Sequence, residues 1–193
     1  EKDEVVINIR SRSGGKKILI GAGSLGRISF TEIPRENPPT PPSFCLSLRK
    51  HLTNAILTSI RMEGFERAAT LEFMSRDEMG FDCVRRLHCE VMGRYSNIIL
   101  TDGEDVILNA LKLVDLTTSS KRQVLPGVKY ELPPSQNKLN PLEADADTLV
   151  RLVRDAEPSM LAHKLITDSF CGISRSNAQE IVYRATGNSD SVI

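Results

Sequence analysis

The chain has 193 residues, 40% of them hydrophobic and 26% charged, which is enough for a packed core without disulfide or metal staples. Its 25 basic and 25 acidic residues cancel, which argues against a uniformly basic, polyanion-coating surface and confines any nucleic-acid contact to a local site. No apolar run approaches the roughly 20 residues that span a bilayer, no signal peptide is legible, and four cysteines without a C-x-x-C pair suit a reducing cytosol, so a cytoplasmic location without membrane insertion is expected.

In chain order, EVVINIR at 4–10 alternates, with Val5, Ile7 and Ile9 on one side, and predicts a half-buried strand. KKILI and RISFTEI predict two more strands, completing a β-meander. Between them GAGSLG, at 21–26, matches the G-x-G-x-x-G dinucleotide fingerprint. That fingerprint needs a helix after its third glycine and an acid about 20 residues on. RISFTEIP alternates instead, and FCLSLRKHL holds no acid, so a strand–strand turn is expected, its glycines supplying positive φ.

Pro34, Pro38, Pro39, Pro41 and Pro42 make an extended connector. PPSFCLSLRKHL then predicts a helix, with Phe44, Leu48 and Leu52 on one face and Arg49 and Lys50 opposite. ILTSIRM, RAATLEF, RLHCEVM, NIIL and VILNALKLV read as strands, with a hairpin signal at Asp102-Gly103. QVLPGVKYELPP closes this region as a proline-punctuated crossing segment. Beyond Asn140, PLEADADTLVRLVRD, PSMLAHKLITDSF and SRSNAQEIVYRATG predict three helices, the first starting at Pro141. Gly172 and Ser174 mark the last two as a helical hairpin. The expected fold is α+β: a mainly antiparallel β-sandwich with an inserted helix over 1–140, then a small helical segment over 141–193.

Legible chemistry is sparse. Cys83, His88 and Cys89 lack a fourth metal ligand at sensible spacing, so no metal site and no cofactor are expected. The histidines share no motif, and no catalytic triad is readable. Two charged segments stand out: GFERAA, with Glu66 and Arg67, and EVMGRYSN, with Glu90 and Arg94 around a tight turn. Each reads either as a solvated turn or as a carboxylate orienting a guanidinium for phosphate contact.

Three blocks together carry a resemblance. PPSFCLSLRKHL resembles P-x-x-F-C-x-x-L-R-K-H-L, EVMGRYSNIIL resembles E-x-M-G-R-x-S-N-x-x-L, and VLPGVKYELPP is similar to V-x-P-G-x-x-Y-x-x-P-P. These are signatures of the NFACT family, whose bacterial members were first labelled fibronectin-binding protein A and are now understood as RqcH-type ribosome-associated quality-control factors. The resemblance covers essentially the whole chain. It implies an amino-terminal domain similar in fold to formamidopyrimidine-DNA glycosylases, followed by a helix-hairpin or helix–two-turn–helix element. It also implies that family members carry a further helix and strand before the position of Glu1, and coiled-coil and RNA-binding domains beyond the region matched here.

For the intact protein the resemblance implies binding to large ribosomal subunits obstructed by peptidyl-tRNA, recruitment of alanyl-tRNA, and template-free alanine tailing. That is an elongation cofactor rather than a free-standing enzyme. Glycosylase activity is not expected, since those enzymes use a free amino-terminal proline. The family's Asp-Arg pair falls on Glu66 and Arg67, with Glu one methylene longer than Asp. Its E-x-M block falls on Glu90, Val91 and Met92, and Gly93, Arg94, Ser96 and Asn97 complete the turn. These nine are the expected tRNA-binding and tailing residues, with Arg49 and Lys50 as additional basic contacts. Fibronectin, from the older family name, is the alternative partner, in a surface adhesin.

Overall fold

The computed structural model describes residues 3–23, 26–34, 36–62, 64–119, 122–134 and 137–193. Its fold is α+β, with two antiparallel sheets and four α-helices among the described residues. Contacts divide the chain into two compact units, residues 1–63 with 67–133, and residues 64–66 with 134–193.

The first unit begins with the expected meander: β1 (Glu4–Ser11), β2 (Gly14–Gly21) and β3 (Arg27–Phe30), hydrogen-bonded in that order. The stretch 21–26 therefore connects two paired strands, Gly21 facing Arg27 across the ladder. The reason for its glycines differs from expectation. Gly21 is extended within β2, and Gly23 has no left-handed φ. Gly26 is needed for room: a Cβ there would stand 2.9 Å from Val91 Cγ1 and 3.1 Å from Ser96 Oγ. The left-handed glycine of this sheet is Gly14, φ +117°, where β1 turns into β2.

After the proline-rich connector, α1 (Ser43–Leu52) buries Phe44 and Leu48, with Leu52 partly buried beside them, and exposes Arg49 and Lys50, as its spacing predicts. The second sheet runs β4 (Ile56–Met62), β5 (Ala68–Arg76), β6 (Asp82–Glu90), β7 (Asn97–Asp102) and β8 (Ile107–Ala110), each paired with the next. Side chains alternate across it. Leu71, Phe73, Leu87, Cys89, Ile98 and Leu100 face Ile18 and Ile20 of the first sheet and Phe44 and Leu48 of α1, forming the main core. Ile99, Ile107 and Ala110 pack with Val124 and Tyr130 on a smaller core. β7 is thus buried on both sides, which explains its apolar run Ile98–Leu100.

The 124–130 segment crosses as predicted: Gly127 N–H donates to Ile107 O (2.8 Å) and Tyr130 N–H to Asp105 O (2.7 Å). The hairpin at Asp102-Gly103 also forms, by a different device. Gly103 is not left-handed; Asp105 is, at φ +63°, while Asp102 Oδ1 accepts from the N–H groups of Glu104 and Val106 (2.9 Å each). The predicted strand 106–114 is shortened, because β8 stops at Ala110.

The second unit holds α2 (Ala146–Asp155), α3 (Ala162–Ser169) and α4 (Arg175–Thr186). The first helix does not start at Pro141. Asn140 captures that stretch in a turn by accepting from Leu142 N–H (2.9 Å), and Asp145 becomes the cap, its carboxylate accepting from Thr148 N–H (2.8 Å). Ser174 caps α4 as expected, accepting from Asn177 N–H (3.2 Å). Gly172, φ +72°, lets the link turn where a Cβ would stand 2.8 Å from the Phe65 ring.

The glycine geometry yields a first prediction. Gly26→Ala should lower stability by about 1–3 kcal/mol through overpacking against Val91 and Ser96, whereas Gly23→Ala, whose nearest atom would be 3.8 Å away, should be near neutral. Urea denaturation of both variants checks this; equal effects would refute the close-approach reading.

Candidate functional site

The two charged segments meet at one end of the five-stranded sheet. β5 starts at Ala68, paired with Glu90 at the end of β6. Val91 N–H donates to Arg67 O (2.7 Å), carrying the ladder one residue further and setting Arg67 opposite Val91. The chain then turns through a single 3-10 turn, Gly93–Tyr95, and returns as β7.

Three motif residues build that turn. Gly93 adopts φ +57°, which favours glycine. Fully buried Ser96 accepts from Met92 N–H (2.9 Å), closing the loop from inside. Buried Asn97 accepts from Lys112 N–H (2.9 Å) and donates to Lys112 O (2.8 Å), pinning the start of β7 to the chain beyond β8. Ser96 and Asn97 thus hold the turn from inside. Val91 and Met92 are half-buried.

Glu90 is also inward. Its side chain is 3% exposed, and Oε1 accepts from Arg122 Nη2 (2.7 Å) and from the Tyr130 hydroxyl (3.0 Å). The Arg122 guanidinium lies over the Tyr130 ring, 5.3 Å from its centroid. On Tyr130 the ring of His88 stacks at 3.8 Å and 12° between planes. His88 in turn bonds Thr70 Oγ1 through Nδ1 (3.0 Å) and Thr101 Oγ1 through Nε2 (3.1 Å). Beyond it Arg86 joins Glu72 Oε2 (3.0 Å) to Asp105 Oδ1 (2.7 Å). The result is a continuous polar layer on the face of the sheet opposite the main core.

Burial dominates its titration. Desolvation lowers the His88 pKa to about 4; Asp105 opposes this, and Arg86 and Arg122 reinforce it. Burial, with the Glu90 carboxylate beside it, raises the Tyr130 phenol well above its ordinary value and keeps it a donor. Burial likewise raises the Cys89 thiol, on the core face. Strand alternation places His88 and Cys89 on opposite faces, so the imagined Cys83–His88–Cys89 set cannot converge on one ion. Among the described residues no group of His, Cys, Asp and Glu is placed to hold a metal.

At the same sheet end two basic side chains face solvent. Arg94 donates to the Tyr95 hydroxyl (2.6 Å) and lies 4.7 Å from that ring's centroid. Tyr95 is 69% exposed. Arg67 is exposed, and among the described residues its guanidinium has no partner. A free guanidinium at the same sheet end as an arginine-backed aromatic ring can grip a phosphate or base edge while the ring stacks an unpaired base. Glu66, half-buried, belongs to the other compact unit, although it adjoins Arg67 in sequence. Arg49 and Lys50 lie elsewhere. Lys50 pairs with Glu78 (2.6 Å) at the β5–β6 turn, the other end of a nine-residue strand and so about 30 Å away.

Sequence reading missed Arg122, Tyr130, His88 and Tyr95. Two signals were available: His88 and Glu90 share a strand face by their i, i+2 spacing, and Tyr130 is the tyrosine of the third block.

Comparison with known proteins follows the same residues. The family pattern described as NFACT N-terminal and middle domains matches residues 1–193. The Rqc2 homolog RqcH of Bacillus subtilis is 41% identical over 186 residues, covering 95% of this chain and 32% of the relative. Human ribosome quality control complex subunit NEMF is 36% identical over 86 residues, 45% of this chain and 7% of that protein. Among solved structures, the N-terminal domain of fibronectin-binding protein PavA from Streptococcus pneumoniae superposes with a TM-score of 0.84 at 32% identity, covering 97% of this chain and 69% of that one. The chain thus spans about a third of the length of its bacterial RqcH relative.

The buried histidine makes the layer acid-sensitive in a defined direction. The folded chain holds His88 neutral down to about pH 4, whereas an unfolded histidine binds its proton near 6.5. Its contribution is therefore complete above about pH 6.5 and is lost as pH falls toward 4, by about 3 kcal/mol in total. Urea denaturation at pH 7, 5.5 and 4.5 should show a shallower decline for His88→Gln than for the parent; parallel declines would refute this.

Proposed function

The chain belongs to the NFACT family, and from that premise we propose that it is the tRNA-binding part of a ribosome quality-control factor. In this reading the intact protein engages obstructed large ribosomal subunits and recruits alanyl-tRNA for template-free alanine tailing. On the same reading peptide-bond chemistry belongs to the ribosome, and the site supplies hydrogen-bond donors. The NEMF relative carries ribosome quality control in its name, and the match to Bacillus subtilis RqcH covers 95% of this chain.

One observation carries the proposal: exposed Arg67, Arg94 and Tyr95 all lie at the sheet end where buried Glu90, Ser96 and Asn97 hold the turn. Structured RNA is read through backbone and unpaired bases, and arginine with an exposed ring supplies both kinds of contact. In this scheme Arg67 and Arg94 touch RNA. Glu90, Ser96 and Asn97 act through the turn they hold, and Val91 and Met92 shape its base. Glu66 is assigned only by its place before Arg67 in the sequence.

No membrane-spanning helix is present among the described residues. Fibronectin binding stands in the name of the PavA neighbour; an adhesin would place the protein on the cell surface, and fractionation separates the two readings.

The direct test uses the full-length protein. Arg67→Ala should cost about 1–3 kcal/mol of tRNA affinity and suppress alanine tailing while large-subunit association persists. Tailing at the parental rate would remove Arg67 from the site.

A further inference from the structure

A second cluster of basic side chains lies at the far end of β5 and β6. The hairpin that joins them is capped by Asp77, whose Oδ1 accepts from the N–H groups of Met79 and Phe81 (2.9 Å each). The end of α1 lies against it, with the Ser75 hydroxyl donating to His51 O. Between helix and hairpin is an open depression of about 410 Å³, lined by Lys50, His51, Arg76, Asp77, Glu78 and Arg85 among others.

Its charges are unevenly satisfied. Lys50 pairs with Glu78 (2.6 Å), but both side chains are largely exposed, so the pair is weak and exchangeable. Arg76 pairs with Asp82 at 3.5 Å, again at the surface. Among the described residues Arg85 has no carboxylate partner: Nη1 donates to Val84 O (3.0 Å), and Nε is buried without an acceptor. A buried guanidinium donor without a partner is costly. His51 registers the local field, its pKa lowered first by burial and then by Arg85 and Lys50, against the opposing Glu78. The carbonyl end of α1 would itself repel an anion, and Arg49, Lys50 and His51 in its last turn offset that.

We propose that this depression is a second RNA-backbone site, in which Arg85 and Lys50 hold a phosphate while Arg67 and Arg94 engage the same RNA about 30 Å away along the sheet. This inference rests on the tRNA-binding reading above and deepens it. A phosphate offers several acceptors at once, matching the fork of Arg85 together with the Lys50 ammonium. Charge complementarity favours a polyanion, and the separation of the two clusters along one sheet matches an extended one. Such a site positions RNA without reading its sequence.

The test measures binding of an alanine-accepting tRNA transcript to the full-length protein between 50 and 200 mM KCl, taken as roughly the range where counterion release is well resolved. Arg85→Ala and Lys50→Ala should each reduce the slope of log K against log salt by about 1, with discrimination among tRNA species unchanged. Glu78→Gln, which removes the competing carboxylate, should tighten binding; it decides the matter even if Arg85→Ala misfolds. Parental affinity and slope in all three variants, with Arg67→Ala still weakened, overturns the second site and leaves the first reading intact. No effect from any of the four overturns both.

Discussion

A single buried carboxylate organises the functional end of this domain. Glu90 is almost fully enclosed, and both of its described partners, Arg122 and Tyr130, come from a segment more than thirty residues later in the chain. Removing either partner would strand a charge or a polar group in the interior, at about 3–5 kcal/mol for the charged one. The pairing therefore fixes where the 122–130 segment crosses the sheet. Through the stacked His88 ring it also sets the order of the polar layer beneath.

The consequence for function is a division of labour along a short stretch of sequence. In EVMGRYSN the first residue and the last two face inward and hold the turn, while Arg94 and Tyr95 face out. Arg67 arrives beside them because its carbonyl accepts from Val91 N–H. A signature that reads as a list of ligands is thus largely a frame for few contacts. Gly26 belongs to the same frame, since only a residue without a Cβ clears both Val91 and Ser96.

Local features were the legible ones. The i, i+4, i+8 spacing of Phe44, Leu48 and Leu52 located α1, and the run Asn97–Leu100 read as a strand. Pro141 misled because a proline and nearby acids suit a helix start at 141 as well as one at 146, and Asn140 took the first stretch as a turn. The connection at 21–26 was legible as a link between strands, but the reason for its glycines was not: glycine answers several needs, and spacing alone does not say whether the need is φ or room. Least legible was the Glu90–Tyr130 bond. Alternation assigns each residue to a face, but only the packed chain says which distant residue reaches that face. Tyr95 was hidden for the opposite reason, since nothing in a sequence marks an aromatic residue as exposed.

The central claim is that the turn held by Glu90 presents its exposed side chains to tRNA. A photo-crosslinking residue placed at position 95 of the full-length protein, followed by sequencing of the attached RNA, tests it most directly. The account predicts crosslinks dominated by one tRNA species. Crosslinks confined to ribosomal RNA or to protein would contradict it.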